Sequence, residues 1–336
     1  MVRLKDIARL AGVSVMTVSK ALRDEPDVST ATKAKIKQLA HQTGYVPDSS
    51  AQGLRTKTTK LFGLVIPTST NPIYSRIVHA IEERAHELGY DLLIAHTQNK
   101  PDREDLVLRR FLSRRVDGLF ITPVYRFEAE ARIYQEITAR KIPTILLGPP
   151  APFCKNFPGI EIEEIVASYH ATKHLLRLGH KKIAYLTGPP ATPWAHERFE
   201  GYRRALREAG IEVDDRLVFA AGNTIEDGIK ATLQMLNENC HPTAIQAVTD
   251  LVAIGCAETL LAQGLKIPAD VSIVGFGNIL PAEFYRVPLT TVRQPKFRLG
   301  VAAMEAMMNL LRGEQIQTKR LSAEIVERKS TGLPRA

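Results

Sequence analysis

The sequence predicts a small all-α headpiece containing a helix-turn-helix, followed by a larger α/β core of two similar lobes, each with its own parallel sheet. Three observations predict this. Two short amphipathic runs flank Gly12-Val13-Ser14, strand-like and helix-like segments alternate from about Leu61 onward, and that alternation runs twice, breaking near Gly159. Strands that alternate with helices must lie parallel, because the crossing helices cover both faces of the sheet.

In the headpiece, Ile7, Ala8 and Ala11 fall on one face of the first run, and Val18 and Leu22 on one face of the second. Gly12 can adopt the positive φ that ends a helix, Ser14 can cap the next one, and Val13 can point into the shared core. Such a unit seats its second helix in the DNA major groove; taken alone, the stretch also reads as an ordinary helical hairpin. Arg3 stands where a capping Ser or Thr belongs, so the first helix is expected to fray there. Ser29 offers a cap to a third helix, Thr30 to about Gln42, with Ile36, Leu39 and Ala40 as its apolar stripe and Gly44 at its stop. The headpiece is assigned to residues 1–46 and a small, polar linker to 47–60, where Leu54 is an isolated large apolar residue.

The core, 61–336, carries candidate strands at Leu61–Pro67, Asp91–His96, Asp117–Thr122, Pro143–Gly148, Lys182–Thr187, Leu217–Ala220, Ala244–Val248 and Val271–Gly275. Candidate helices are Ile73–Leu88, Asp102–Arg114, Glu163–Leu178, His196–Ala209, Ile225–Leu236 and Leu251–Gln263. A helix at about Lys296–Leu311 and a last strand at about Leu321–Glu327 close the chain.

Composition narrows the class. Hydrophobic residues at 44% and charged residues at 24% make a globular mix. Residues 1–60 hold eleven Lys/Arg against five Asp/Glu, whereas the other 276 carry a balance of only +3. The basic excess therefore sits beside the helix-turn-helix, where a phosphate-binding footprint belongs. Cys154, Cys240 and Cys256 are widely spaced, match no metal-ligand pattern and read as reduced thiols. No apolar run reaches the roughly 20 residues of a membrane span, and no signal segment precedes the headpiece. A cytoplasmic chain without a membrane partner is expected. Enzyme chemistry finds no foothold: Gly275-Phe276-Gly277 lacks the third Gly of a dinucleotide fingerprint. No GK[ST] loop, GxSxG or HExxH occurs, and His180, His196 and His241 lack ligand spacing. The chain is expected to be no enzyme and to need neither cofactor nor metal.

Several ordered patches stand out: Asp6-Ile7-Ala8, Ala11-Gly12-Val13-Ser14, Thr17-Val18-Ser19, Gly44-Tyr45-Val46-Pro47, Asn71-Pro72-Ile73-Tyr74, Arg198-Phe199-Glu200-Gly201-Tyr202, Asp270-Val271-Ser272-Ile273-Val274-Gly275 and Leu289-Thr290-Thr291-Val292-Arg293-Gln294-Pro295. Spread over essentially the whole chain, they resemble the lactose and purine repressor (LacI/GalR) family of bacterial transcription regulators. The resemblance implies a homodimer that reads a near-palindromic double-stranded DNA operator with one headpiece per subunit. It implies a core like a periplasmic binding protein, holding a small carbohydrate-related effector between a first lobe of about 61–160 and 292–320 and a second of about 161–291 and 321–336. The function implied is ligand-responsive repression; the rival is a cytosolic small-molecule sensor that acts through protein partners.

By the same resemblance, the base-reading residues at the start of the second helix are Val15, Met16 and Lys20. Val15 and Met16 cannot hydrogen-bond, so they either meet thymine methyl groups or pack into the headpiece; Lys20 can donate to guanine N7 and O6. Ser14, Thr17 and Ser19 read as phosphate binders that fix register. Leu54 takes the place of the family's leucine wedge, which enters a minor-groove step from a linker helix formed on the operator.

Ligands of such folds sit at the carboxyl ends of strands, here between two lobes. The residues that fit are Asn71, Ile73, Tyr74, Thr122, Trp194, Arg198, Thr224 and Asp250. Arg198 matches the family's ligand-binding arginine, with a salt bridge to Glu197 or Glu200 as its alternative. Trp194 either stacks on a ligand ring or packs; Asp250 either contacts ligand or caps the helix that follows. Relatives often carry acids where this chain has Gly148 and Gly277, which favours a bulkier or acidic ligand over a neutral sugar gripped by carboxylates.

Overall fold

Three helices build the N-terminal unit: α1 (Leu4–Ala11), α2 (Val15–Leu22) and α3 (Thr30–Gln42). The computed structural model describes residues 2–46 and 58–335, and the chain divides into two units, Met1–Thr59 and Lys60–Ala336. Gly12 ends α1 at a φ of 71°, and Ser14 caps α2 by accepting the Thr17 N–H at 3.1 Å. Ile7, Ala8, Ala11, Val18, Ala21, Ile36 and Ala40 form the buried centre, with Val13 and Leu22 packed against it. The fraying expected at Arg3 is countered from inside the helix. The Asp6 carboxylate accepts the Arg3 backbone N–H at 2.9 Å, which is half of a capping box and places an acid in the first turn. The linker assigned to 47–60, Leu54 included, lies outside the described residues but for 58–60.

The second unit holds two six-stranded sheets. The first lobe contains β1 (Leu61–Ile66), α4 (Pro72–Glu87), β2 (Asp91–His96), α5 (Pro101–Ser113), β3 (Gly118–Ile121), α6 (Arg132–Ala139), β4 (Thr144–Leu147) and β5 (Gly159–Ile162). The second contains α7 (Glu164–Arg177), β6 (Ile183–Thr187), α8 (Pro193–Glu208), β7 (Val218–Ala220), α9 (Ile225–Asn237), β8 (Ala244–Ala247), α10 (Asp250–Ala262), β9 (Ser272–Gly277), α11 (Leu280–Phe284) and β10 (Thr290–Arg293). The chain then returns for α12 (Lys296–Leu311) and β11 (Lys319–Leu321), and closes with β12 (Glu324–Val326). Strand orders are β11-β5-β4-β3-β1-β2 and β12-β10-β9-β8-β6-β7.

Alternation along β1 shows how each sheet is covered. Phe62, Leu64 and Ile66 pack with α4 and α12 on one face, while Val65 packs with α5 and α6 on the other. The second sheet is held likewise between α7 with α8 and α9 with α10.

Three details depart from the expected layout. The last strand is two short strands, and they belong to different sheets: β11 pairs parallel with β5, β12 antiparallel with β10. The second sheet is therefore parallel only as far as β10. Residues 161–162 still pair in the first sheet, Val292 and Arg293 pair with Phe276 and Gly277 in the second, and Leu321 pairs with Ile162 in the first, so all three lobe boundaries sit a residue or two later than expected. The chain crosses between lobes three times, after β5, after β10 and after β11.

The C-terminal tail is clasped to the second lobe by the buried His180, whose Nε2–H donates to the Gly332 carbonyl at 2.9 Å while Nδ1 meets the Thr243 hydroxyl at 3.0 Å. Burial holds the His180 imidazole below its usual 6.5, and the same is true of the neighbouring His174, although Glu327 opposes the shift there. The unfolded chain therefore takes up these protons first, so their contribution to stability is present above about 6.5 and is lost as pH falls below it. The Gly332 amide, bonded to Ser272, is expected to lose exchange protection at pH 5.5 relative to pH 7.5 after correction for intrinsic rates, measurable by hydrogen exchange.

Candidate functional site

Two places gather the residues singled out above. On the headpiece, Val15 is 46% exposed and Met16 69%, and neither belongs to the buried centre, so they do not pack inward. The Lys20 ammonium pairs with Asp27. Ser19 accepts from Arg23 at 2.7 Å.

A concavity of about 330 Å³ lies between the N-termini of α2 and α3, bordered by Ser14, Met16, Thr17, Ser29, Thr32 and the paired Lys20 and Asp27. The two ends are built alike: Ser14 accepts the Thr17 N–H and Ser29 the Thr32 N–H, with paired hydroxyls 2.9 and 2.8 Å apart. Two helix N-termini with hydroxyls at one concavity suit phosphate oxygens. Thr32 was not singled out from the sequence, and Ser29 only as a helix cap, yet the repeated Ser-x-x-Thr spacing marks the pair.

In the core, a cavity of about 660 Å³ lies between the lobes and is bordered by Asn71, Ile73, Tyr74, Thr122, Trp194, Arg198 and Thr224. The positions follow from local capping. Asn71 accepts the Ile73 N–H at 3.1 Å to start α4, and Thr224 accepts the Asp227 N–H at 3.1 Å to start α9. Thr249 caps α10, so several helix N-termini aim at the same space.

Arg198 is only 5% exposed. Its Nε and Nη2 donate to Glu164 at 2.8 and 3.0 Å, and Nη1 donates to the Val248 carbonyl at 2.7 Å. Neither Glu197 nor Glu200 is its partner; the carboxylate that fills its fork is Glu164, itself 4% exposed. The guanidinium lies 4.7 Å from the Trp194 ring and 3.7 Å from the Phe276 ring. Trp194 thus both packs on Arg198 and borders the cavity. Burial pushes the Tyr74 phenol up to about 12, so it remains a donor at neutral pH. The buried Thr122 hydroxyl has no hydrogen-bond partner among the described residues.

Asp250 corrects the expectation for its position. It does not border the cavity, and it is not the cap of α10, which is Thr249. Its carboxylate is 1% exposed and accepts from the Thr291 hydroxyl and, at 2.9 Å, from the Ile279 N–H. These two bonds, one to each oxygen, tie the segments after β9 and in β10 to the start of α10.

The two glycines have structural reasons. Gly148 has φ +124° and a Cβ there would sit 3.1 Å from the Tyr125 hydroxyl, which donates to the Pro149 carbonyl at 2.7 Å. Gly277 has φ +138° and its Cβ would sit 2.9 Å from Ile73 Cδ1. Tyr125 and Ile73 occupy the corners that an acid would need. Glu164, Tyr125 and Lys296 all border the cavity and were not singled out from the sequence. Their partners are far away in the chain, so spacing alone carries no signal for them.

Comparison with known proteins finds a family match on each side of the linker. The family described as "Bacterial regulatory proteins, lacI family" matches residues 3–48, and "Periplasmic binding proteins and sugar binding domain of LacI family" matches residues 59–329. The chain is 32% identical to the HTH-type transcriptional regulator DegA of Bacillus subtilis over 328 residues, covering 97% of each. It is 32% identical to the ribose operon repressor of Escherichia coli over 321 residues, covering 96% of each. A crystal structure of the lac repressor dimer bound to operator and the anti-inducer ONPF aligns with a TM-score of 0.87 at 28% identity, covering 98% of this chain and 99% of that one. With a DNA-binding helix-turn-helix ahead of a two-lobed effector-binding core, the chain belongs to the LacI family of bacterial transcriptional regulators.

Proposed function

We propose that this regulator is a homodimeric repressor of the bacterial cytoplasm, which binds a near-palindromic operator and holds a carbohydrate-related effector, without transforming it, in the cavity between its lobes. The headpiece, 1–46, reads DNA through Val15, Met16 and Lys20, with Ser14, Thr17 and Ser19, joined by Ser29 and Thr32, on phosphates. The linker, 47–60, contributes Leu54 as a wedge, and the core, 61–336, supplies dimer and effector sites. Effector contacts come from Asn71, Ile73, Tyr74, Thr122, Trp194, Arg198 and Thr224.

The observation that carries the effector reading is the buried Thr122 hydroxyl, without a hydrogen-bond partner among the described residues, on a cavity where polar groups of both lobes converge. A buried hydroxyl without a partner costs free energy of about 1–3 kcal/mol, which a ligand hydroxyl recovers. Because the cavity walls belong to different lobes, a ligand that prefers one lobe orientation shifts the population toward it, and the headpieces follow.

Selection of a random duplex library on the full-length chain tests the reading. A near-palindrome should be enriched, and a sugar or sugar derivative that raises the melting temperature should change the affinity for that duplex. A chain that enriches no sequence above bulk DNA sinks the operator reading and favours a sensor acting through protein partners.

A further inference from the structure

We propose that Lys296 reads an acidic group of the effector, so that the ligand is a polyhydroxylated anion bearing a carboxylate or phosphate rather than a neutral sugar. This rests on the effector reading of the cavity given above.

The charge balance inside the cavity points this way. Its charged side chains, among the described residues, are Glu164, Arg198, Glu226 and Lys296. Arg198 and Glu164 neutralise one another in a buried bidentate pair, and Glu226 is exposed to solvent. Lys296 is different. Its ammonium donates to two neutral acceptors, the carbonyls of Gly277 and, at 2.9 Å, Asn278. Among the described residues it makes no ion pair. The carboxylate that acts on it, Asp250, already accepts from Thr291 and Ile279, and the other charges near it, Arg76 and Arg293, are cations.

An ammonium has three N–H donors, and two are spent on carbonyls. The third belongs to a half-buried group on the cavity wall. Burial lowers the Lys296 ammonium to about 8, which means its charge is incompletely compensated by the protein. An anionic oxygen in the cavity supplies the missing charge as well as the third acceptor, and charge-assisted hydrogen bonds of this kind are stronger than neutral ones. The buried Glu164 does not repel such a group as a free carboxylate does, because Arg198 screens it.

Lys296 also has a purely structural reading, since it begins α12 in the first lobe while its carbonyl partners stand at the end of β9 and just after it in the second. That tie predicts equal losses for neutral and acidic ligands on substitution, whereas a charge reader predicts unequal ones. The test is calorimetric titration of the full-length chain with matched compounds. These are D-glucose with D-gluconate, D-glucuronate and D-glucose 6-phosphate; D-galactose with D-galacturonate and D-galactose 6-phosphate; and D-ribose with D-ribonate and D-ribose 5-phosphate.

At least one acid is expected to bind about tenfold or more tighter than its neutral parent. Lys296→Met is expected to bring the two within about threefold, and Lys296→Arg to keep most of the preference. Carboxylate and phosphate members identify which anion is read. Neutral parents that bind as tightly as their acids overturn the inference while leaving the effector cavity in place, and so does a preference unchanged in Lys296→Met. Binding by none of these compounds removes both readings together.

Discussion

Replacement of Arg198 by methionine is expected to destabilise the core by about 3–5 kcal/mol, the range found when one member of a buried ion pair is removed. The reason is what stays behind. Glu164, 4% exposed, would keep a carboxylate whose ion-pair partner has gone, and the Val248 carbonyl would lose its donor. The rings of Trp194 and Phe276 would lose the guanidinium between them. Urea denaturation of the full-length chain measures the loss. Combining Arg198→Met with Glu164→Leu should recover most of the stability, because an apolar pair of similar volume tolerates that environment. It should not restore the response to effector. A single-variant loss below about 1 kcal/mol would mean that Glu164 reaches water, and that the pair is a surface feature of the cavity.

Gly255→Ala is the second large effect. Gly255 on α10 faces the backbone of α9, where a Cβ would stand 2.1 Å from the Ile225 carbonyl oxygen; reciprocally, a Cβ on Gly228 would stand 2.3 Å from the Val252 carbonyl oxygen. The obstacles are backbone atoms, so no side-chain rotation relieves the clash and the helices must separate. Overpacking of this kind costs about 3 kcal/mol. The consequence is not confined to stability: Thr224 and Ile225 at the start of α9, and Thr249 and Leu251 around the start of α10, border the effector cavity. The variant is expected to weaken effector binding as well as to lower the denaturation midpoint. Unchanged stability would show that the crossing has slack that its geometry denies.

Much of this was legible because local rules act within a few residues. Gly12, Ser14 and Ser29 announced their helix ends, and Lys296–Leu311 reads from the sequence as the helix that forms. What escaped depends on distance. Gly159–Ile162 and Thr290–Arg293 are four-residue strands, too short for a period to declare itself. Leu321–Glu327 looked continuous because both pieces are strand-like, and only the pairing of β11 with β5 and of β12 with β10 divides it. Asp250 looked like a site residue because it follows a strand end; the Thr291 hydroxyl and the Ile279 N–H that donate to it lie far along the chain. Glu164 lies 34 residues before the arginine it pairs with, and nothing in a helix start predicts that partner.

The three crossings between the lobes also set an order of assembly. On the ribosome, residues 61–162 are the first part of the core to emerge, but their sheet still lacks the edge strand β11 and the helix α12 that buries the α4 side of its core. Both arrive only after the whole second lobe has been translated. Until then Phe62, Leu64, Ile66 and the apolar side of α4 have no lid, and an unpaired β5 edge stays open to other chains. The nascent first half is therefore the segment that most needs a chaperone, and the last forty residues decide when it can be released.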